Sequence, residues 1–311
     1  MNRFKFASIA VGCGGLAACL YVAARLGTPG ALVLVYMTQL PLFVAGLWLG
    51  AGAAAIAGLT GALVLLTSGD LVGAGIFVGL NALPVALLVS RALLARRAAD
   101  ATLSWYPPGL LAAWLTGLAL AGMAVAVLVF GGAGGLEAAL DAAIGAAFDR
   151  FTQVPPVDRD ETVAMLAMIA PGMIAASWMA TAIVNAALAQ GMLARFGANW
   201  RPSPDLAGLA LPLWLPAALG LGAAATLAGG AARFVGINVM LALLVPFCLA
   251  GLAVLHAAAR RLPQPALALG GFYTIAALFG WPFLAVAVLG LLESWLGLRR
   301  RLAPPRNQVR N

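Results

Sequence analysis

The chain has 311 residues, of which 63% are hydrophobic and only 9% are charged, and its formal net charge at pH 7 is +8. A soluble domain of this length needs far more polar surface, so the composition excludes an ordinary water-soluble enzyme or binding domain. Apolar runs of roughly 17–25 residues are long enough to cross a bilayer. Because these runs do not alternate between polar and apolar residues, they are predicted to be helices and not strands of a barrel.

The predicted fold is an all-α polytopic membrane protein with about ten transmembrane helices. Five spans precede residue 131, at about Phe6–Ala24, Ala31–Leu49, Ala53–Thr67, Leu71–Leu94 and Gly109–Phe130. Three more lie at about Thr162–Phe196, Leu206–Leu227 and Phe234–His256. The stretch Ala266–Leu298 is too long for one straight span, and Gly280–Trp281–Pro282 divides it into two short helices that we interpret as a hairpin.

These spans divide the chain into four regions. Residues 1–130 form a first membrane half, 131–161 an extracytoplasmic acidic loop, 162–298 a second membrane half and 299–311 a basic cytoplasmic tail. Within the loop, apolar residues recur at helical spacing over 136–148, which is typical of an amphipathic helix at the interface or of a helical loop packed on the spans. Five spans in each half would invert the second half relative to the first, as in inverted-repeat transporters.

The distribution of charge predicts how the chain lies in the membrane. Six of the ten acidic residues lie in the loop 131–161, whereas most of the 18 basic residues lie in loops that ten spans place on the opposite side. Since basic residues accumulate on the cytoplasmic side, both termini are predicted to be cytoplasmic, in the cell inner (cytoplasmic) membrane. The positive charge is therefore attributed to orientation and to contact with anionic lipids, and not to nucleic acid.

Polar side chains inside the spans are the candidate functional residues, because an amide or carboxylate in lipid either bridges helices or lines a polar pocket. Asn185 and Asn238 are the foremost pocket candidates, since they lie near the middle of spans in the second half, and Asn81 and Gln39 belong to the same group. Glu293 in the last span is interpreted as an interfacial residue that pairs with the following arginines, with a proton or cation site as the alternative.

The sequence contains no recognisable catalytic or metal-binding motif. GxxxxGK[S/T], HExxH, GxSxG and CxxC patterns are absent, and the three cysteines lie singly in apolar segments. Neither enzymatic activity nor a metal or organic cofactor is therefore expected. The expected partners are membrane lipids and another membrane protein or transporter module.

The C-terminal stretch Leu289–Arg301, LGLLESWLGLRRR, resembles the closing signature of the YybS-like family of bacterial membrane proteins, in which an acidic residue and an aromatic residue lead into a basic tail. Glu293 stands where members of that family often have Asp. The resemblance implies a multispan fold with distant similarity to the substrate-binding subunits of energy-coupling-factor transporters. In those subunits, small residues on the first helix dock a transmembrane partner. Here such a face would consist of Ala7, Cys13, Gly14 and Ala18.

The predicted function is small-molecule transport, or substrate binding as a transporter subunit, which the multispan fold, the proline-broken helices and the intramembrane amides favour. A membrane scaffold that organises envelope proteins through the acidic loop and the arginine tail is the alternative, favoured by the near absence of intramembrane charge. A cavity lined by Asn185 or Asn238 would favour transport, whereas bonds from these amides to neighbouring helices would remove its main support.

Overall fold

The computed structural model describes residues 3–97, 103–130, 135–151 and 156–302, and most of these residues are helical. The helices are α1 (Arg3–Val22), α2 (Pro29–Tyr36), α3 (Gln39–Leu49), α4 (Ala51–Thr67), α5 (Leu71–Phe77), α6 (Leu83–Ala92), α7 (Pro108–Phe130), α8 (Gly135–Phe151), α9 (Pro156–Arg195), α10 (Trp214–Thr226), α11 (Gly230–Ala259), α12 (Pro265–Phe279), α13 (Pro282–Leu296) and α14 (Leu298–Leu302). A short antiparallel hairpin, β1 (Ala95–Arg97) and β2 (Leu103–Trp105), follows α6.

Six helical stretches of the described chain are long and apolar enough to cross a membrane, and a seventh is added if α12 and α13 are counted as one bent pair. The six are Arg3–Leu26, Pro29–Leu49, Leu71–Ala92, Pro108–Phe130, Arg159–Arg195 and Gly230–Ala259. Helices α4 and α10 are apolar but shorter. This architecture is consistent with the predicted all-α membrane protein.

Contacts between residues divide the chain into two compact units. The first unit consists of Met1–Leu118 and Trp178–Pro204, and the second consists of Ala119–Ser177 and Asp205–Asn311. Helices α7 and α9 therefore contribute residues to both units. The division predicted from the sequence is a different one. It separates residues 1–130 from residues 162–298 by the order of the spans along the chain, and it stays a prediction.

Small residues bring the helices of the first unit close together. The backbone of Gly14 in α1 lies against the carbonyl group of Ala57 in α4. A Cβ added at Gly14 would overlap that carbonyl oxygen and would lie 2.8 Å from the Thr60 Cβ. At Gly61, an added Cβ would lie 2.6 Å from the ring of Phe77. Such close approach is how helices associate in lipid, where neighbouring chains are as apolar as the helices themselves.

The second unit is built on the crossing of α11 and α13. Gly251 and Gly290 face each other there, and the backbone of Gly290 also lies against the carbonyl group of Phe247. Gly222 of α10 and Gly236 of α11 form a similar contact. Helix α11 is therefore packed on two sides through glycines.

The chain bends sharply between α12 and α13. Helix α12 ends at Phe279, α13 begins at Pro282, and the two axes are bent by 119°. This confirms the predicted division at Gly280, whose φ of 70° favours glycine. The Arg261 side chain, just before α12, donates to the carbonyl group of Leu302, just after α13. The residues that flank the pair are therefore in contact, and whether the pair crosses the membrane as two spans stays a prediction.

Three predicted spans differ from the observed helices. The span Leu71–Leu94 contains a π-helical turn at Val78–Ala82. The span Ala31–Leu49 is interrupted between Tyr36 and Gln39. The span Leu206–Leu227 was wrong in its first half, because the regular helix begins only at Trp214 and a short 3₁₀ turn precedes it. Pro212 has no N–H to donate within a helix. The carbonyl groups of Leu206 and Leu209, which precede it, are bound by the Arg299 side chain instead of by their own helix.

Helix α8 covers the segment that was predicted to be amphipathic, and an ion pair holds it against the start of α9. Arg159 donates to both carboxylate oxygens of Asp149, at 2.8 and 2.9 Å, and to Asp160 at 2.7 Å. These bonds hold the pKa of the Asp149 carboxyl below its ordinary value. The remaining parts of the acidic loop, and Arg306 and Arg310 of the tail, lie outside the described residues.

Candidate functional site

The candidate site lies in the first unit, where two helical stretches are interrupted. Helix α2 ends at Tyr36 and α3 begins at Gln39, so the backbone between them leaves the regular helical ladder. Between α5 and α6, residues Val78–Ala82 form a π-helical turn just before Pro84. Since Pro84 has no N–H, the carbonyl group of Leu80, four residues earlier, loses its usual helical donor. Single π turns of this kind are frequent at functional sites.

Side chains from two other helices satisfy the Leu80 carbonyl group. The Gln39 amide donates to this oxygen from α3 at 3.0 Å, and the Trp178 indole N–H donates to it from α9 at 2.8 Å. In hydrocarbon, a carbonyl group freed by proline must find partners among neighbouring helices, because water is absent. The π turn is therefore fixed between α3 and α9.

Asn185 satisfies the carbonyl group at the end of α2 in the same manner. The N–H that would close the helix on Tyr36 is that of Leu40, but it donates to Met37 instead. The Asn185 amide donates to the Tyr36 carbonyl oxygen at 2.7 Å and to that of Thr181 in its own helix at 2.8 Å. Both interruptions of the first unit are thus closed by side chains of α9.

Three buried oxygens at these interruptions have no hydrogen-bond partner within the described part of the chain. They are Thr38 Oγ1, Gln39 Oε1 and Asn185 Oδ1, which we call the break oxygens. Their residues are 1%, 2% and 2% exposed. An unpaired polar group in an apolar interior costs about 1–3 kcal/mol, so each break oxygen is a site where a hydrogen-bond donor or a cation would be stabilised.

Asn238, in contrast, has both polar atoms of its amide bonded within the second unit. Its Oδ1 accepts from the Gly172 N–H at 2.6 Å, and its Nδ2 donates to the carbonyl groups of Met168 and Phe234, each at 2.8 Å. The amide therefore bridges α11 to the segment of α9 on both sides of Pro171. Gly172 leaves the space for this contact, because an added Cβ would lie 2.8 Å from the Asn238 carbonyl oxygen. Asn238 is a bridge between two helices.

Glu293 is 8% exposed and forms an ion pair with Arg299. One carboxylate oxygen accepts from Arg299 Nε at 2.8 Å, and the other accepts from the Arg299 backbone N–H at 3.0 Å. The same guanidinium donates to the carbonyl groups of Leu206, at 3.0 Å, and of Leu209. The pair therefore anchors the segment that precedes α10 to the end of α13.

The structure separates the predicted site residues into two groups. Gln39 and Asn185 lie at interruptions of the first unit, Asn81 is half-buried in the π turn, and Asn238 and Glu293 belong to the second unit. Whether any of them lines a pocket stays a prediction.

Sequence reasoning missed Thr38, Trp178 and the two carbonyl groups. A usable signal was present for one carbonyl group only: proline at 84 identifies Leu80 as an acceptor without its helical donor.

The comparisons with known proteins found no family model, no curated protein and no solved structure that match this chain. The break oxygens lie in residues 29–49 and 178–195, and these two stretches contain no Asp, Glu, His or Cys. Neutral hydroxyl and amide oxygens accept hydrogen bonds or bind cations.

Proposed function

We propose that this protein is a non-enzymatic, multi-pass membrane transport protein that binds its solute or coupling ion at the break oxygens. The single observation that carries this proposal is the presence of three buried, unpaired oxygens where helices are interrupted. Known transporters place substrate and ion sites at interrupted helices near the middle of the bilayer, where unwound backbone can face a ligand. Gln39 and Asn185 are needed to satisfy carbonyl groups, but at Thr38, whose hydroxyl has no partner among the described residues, an apolar side chain would serve packing alone better.

The proposal rests on Asn185 and not on Asn238. Both amides were candidates for a pocket, but Asn238 has its donors and its acceptor bonded to two helices. Asn185 also bridges helices, through its donor to Tyr36 of α2, which counts against a cavity there, but its acceptor has no partner among the described residues. The support for transport is therefore confined to the first unit.

Contacts at the helix ends of the first unit support α4 as a crossing helix. Arg25, after α1, pairs with Asp70, after α4, at 2.5 Å. At the opposite ends, a groove of about 420 Å³ is lined by Arg3 together with Trp48 and Trp200. Helix α4 begins next to that groove and ends next to the Arg25 pair, so it connects the same two levels as α1.

With α4, α10 and both helices of the C-terminal hairpin included, the proposed topology has about ten segments with both termini in the cytoplasm. The arginines at both ends of the hairpin then lie on the basic side of an inner membrane. The YybS-like resemblance of residues 289–301 is part of the same proposal, but an implied transporter-subunit partner could not dock on Gly14 and Ala18, because both are buried within the first unit and Gly14 lies against α4.

A green fluorescent protein fused after Asn311 is expected to fluoresce in whole cells, because this reporter folds in the cytoplasm. Alkaline phosphatase fused after Asp70 is expected to be active, because that enzyme requires the oxidising outer side. A dark C-terminal fluorescent fusion combined with an active C-terminal phosphatase fusion would show that the number of crossing segments is odd and that the proposed topology is wrong.

Transport requires that the break oxygens be reached from water at some stage. In a variant whose three native cysteines are replaced by alanine, Asn185→Cys is expected to react with a small, membrane-impermeant cationic methanethiosulfonate at least about tenfold faster than Asn238→Cys. Asn238→Cys is the matched control, because it replaces a buried amide that bridges helices. The modified fraction is measured by mass spectrometry after timed exposure of membranes of both orientations.

A scaffold without a solute pathway predicts a different result. Both introduced cysteines would then stay unmodified over the same exposure, because both positions are almost completely buried. Equal rates at the two positions would therefore contradict the transport proposal.

A further inference from the structure

We propose that the groove at the start of α1 binds the headgroup of an anionic phospholipid. The groove has a volume of about 420 Å³, and its lining residues all belong to the first unit: Arg3, Phe6, Trp48, Leu49 and Trp200. We call it the N-terminal groove. Lipid binding there requires only a headgroup layer at this level of the protein, whereas the choice of the cytoplasmic leaflet rests on the proposed topology.

The lining combines one cation with apolar and aromatic side chains. Phe6, Trp48 and Leu49 are partly buried, whereas Arg3 and Trp200 are exposed. A guanidinium group binds phosphate through parallel, charge-assisted hydrogen bonds. Because a phospholipid carries its phosphate next to apolar chains, it matches both the arginine and the apolar part of the groove. A soluble anion would match the arginine alone.

The two tryptophans suit the depth at which a headgroup lies. Tryptophan collects at the boundary between hydrocarbon and water, because its ring is apolar and its N–H is polar. Trp48 lies in the last turn of α3, and Trp200 follows the end of α9. The indoles of Trp114 and Trp178 donate to protein oxygens, but neither indole of the groove has such a partner among the described residues. Both can therefore donate to phosphate or ester oxygens.

The charge of the first unit is complementary to an anion at this end. Its one carboxylate among the described residues is that of Asp70, which pairs with Arg25 at the opposite helix ends. Asp100 lies outside the described residues. Arg3 has no ion-pair partner in the described part of the chain. A basic groove at the cytoplasmic level of membrane helices is a known setting for anionic headgroups.

Two further arginines of this end are held in place without a carboxylate. Arg201, the residue after the second tryptophan of the groove, is 5% exposed and donates to two backbone carbonyl groups at 2.9 and 2.8 Å. The guanidinium carbon of Arg91 lies 4.8 Å from the centre of the Trp114 ring. No ion pair of either arginine is present within the described ranges. Since the fold fixes these charges, this end of the unit keeps a positive potential.

A soluble phosphate compound is the competing occupant, because Arg3 would bind its phosphate as well. The two occupants differ in their apolar part. Only a lipid also removes apolar surface of Phe6 and Leu49 from water, which adds to its affinity. The test therefore compares a phospholipid with glycerol 3-phosphate.

The test uses the full chain, purified in detergent and freed of lipid, and counts bound lipid by native mass spectrometry while phosphatidylglycerol is titrated into the micelles. One retained phosphatidylglycerol per chain is expected, with phosphatidylcholine bound at least about tenfold more weakly. Arg3→Gln is expected to weaken phosphatidylglycerol binding about tenfold, because it removes charge-assisted bonds to the phosphate.

Arg195→Gln is the matched control. Arg195 is also exposed and lies in the last turn of α9, but it does not line the groove. A change of less than about threefold is expected, because salt screens an exposed charge outside the site. Trp200→Leu is a second variant that keeps the charge, and because Trp200 is 63% exposed, it is expected to fold while binding phosphatidylglycerol at least about threefold more weakly.

Thermal unfolding of the same samples gives a readout in solution. Phosphatidylglycerol is expected to raise the unfolding temperature of the wild type and of Arg195→Gln, and to raise that of Arg3→Gln much less. Equal losses in the two arginine variants would show that diffuse surface charge attracts the lipid and would overturn the groove as its site. Equal stabilisation by glycerol 3-phosphate without lipid would overturn a lipid as the occupant.

This proposal and the proposed function fail separately. The reactivity of Asn185→Cys reports on the break oxygens, whereas lipid retention reports on the N-terminal groove. Fusion reporters that contradict the proposed topology would assign the groove to the other leaflet and leave the expected lipid binding unchanged. Loss of lipid retention to the level of phosphatidylcholine would overturn the lipid site and leave the transport proposal as it stands.

Discussion

Gly290→Ala is expected to lower the free energy of unfolding by about 3 kcal/mol, because it forces α13 away from α11. A Cβ at this position would overlap the carbonyl oxygen of Phe247 and lie 2.6 Å from the backbone nitrogen of Gly251. Since the overlapping atoms belong to the backbone, no side-chain rotation relieves the contact. The measurement is the midpoint of unfolding as the purified protein is titrated with sodium dodecyl sulfate in mixed micelles.

Gly270→Ala provides the matched control in the adjacent helix α12. A Cβ at Gly270 meets no heavy atom of the described structure within 4 Å. Alanine there is expected to be neutral or to stabilise the helix by about 0.5–1 kcal/mol, since glycine is the poorer helix former. If both variants unfold at the same detergent fraction, the close crossing of α11 and α13 is wrong.

Asn238→Leu is expected to lower the free energy of unfolding by about 2–4 kcal/mol. The substitution keeps the branched shape of the side chain, with a larger volume, but removes the acceptor of the Gly172 N–H and a donor to the Met168 carbonyl oxygen. Each buried group left without a partner costs about 1–3 kcal/mol. The same detergent titration measures the loss, and hydrogen exchange at Gly172 would report where it arises.

Asn81→Leu is the comparison for this second variant, because it removes an amide of the same type from another span. Its side chain is only half-buried, so a change below about 1 kcal/mol is expected. A loss at Asn238 no larger than that at Asn81 would show that the bridge between α9 and α11 contributes little to stability, as for many hydrogen bonds in lipid.

The local pattern of residues was sufficient for the elements whose limits are set by nearby residues. Apolar runs predict most of the long helices, because a chain in hydrocarbon must satisfy its own backbone and can do so as a helix. Gly280 followed by Pro282 predicts the turn between α12 and α13, because glycine permits a positive φ and proline starts the next helix. The helical spacing over 136–148 likewise predicts α8.

The helix limits that sequence reasoning missed depend on residues far away in the chain. The Tyr36 carbonyl group at the end of α2 is bound by Asn185, 149 positions later, and the Leu80 carbonyl group in the π turn is bound by Trp178, 98 positions later. The segment before α10 is held by Arg299, 93 positions after Leu206.

By itself, then, the sequence determined that the chain forms apolar helices, where the C-terminal pair turns and which polar residues lie within the spans. Only the tertiary structure decided which of these residues bridge helices and which have an atom left unpaired. Asn185 and Asn238 are the same residue type in similar apolar surroundings, yet only Asn238 has every polar atom bonded among the described residues. The physical reason is that hydropathy is a property of neighbouring residues, whereas hydrogen-bond partners in lipid come from whichever helix packs against the site.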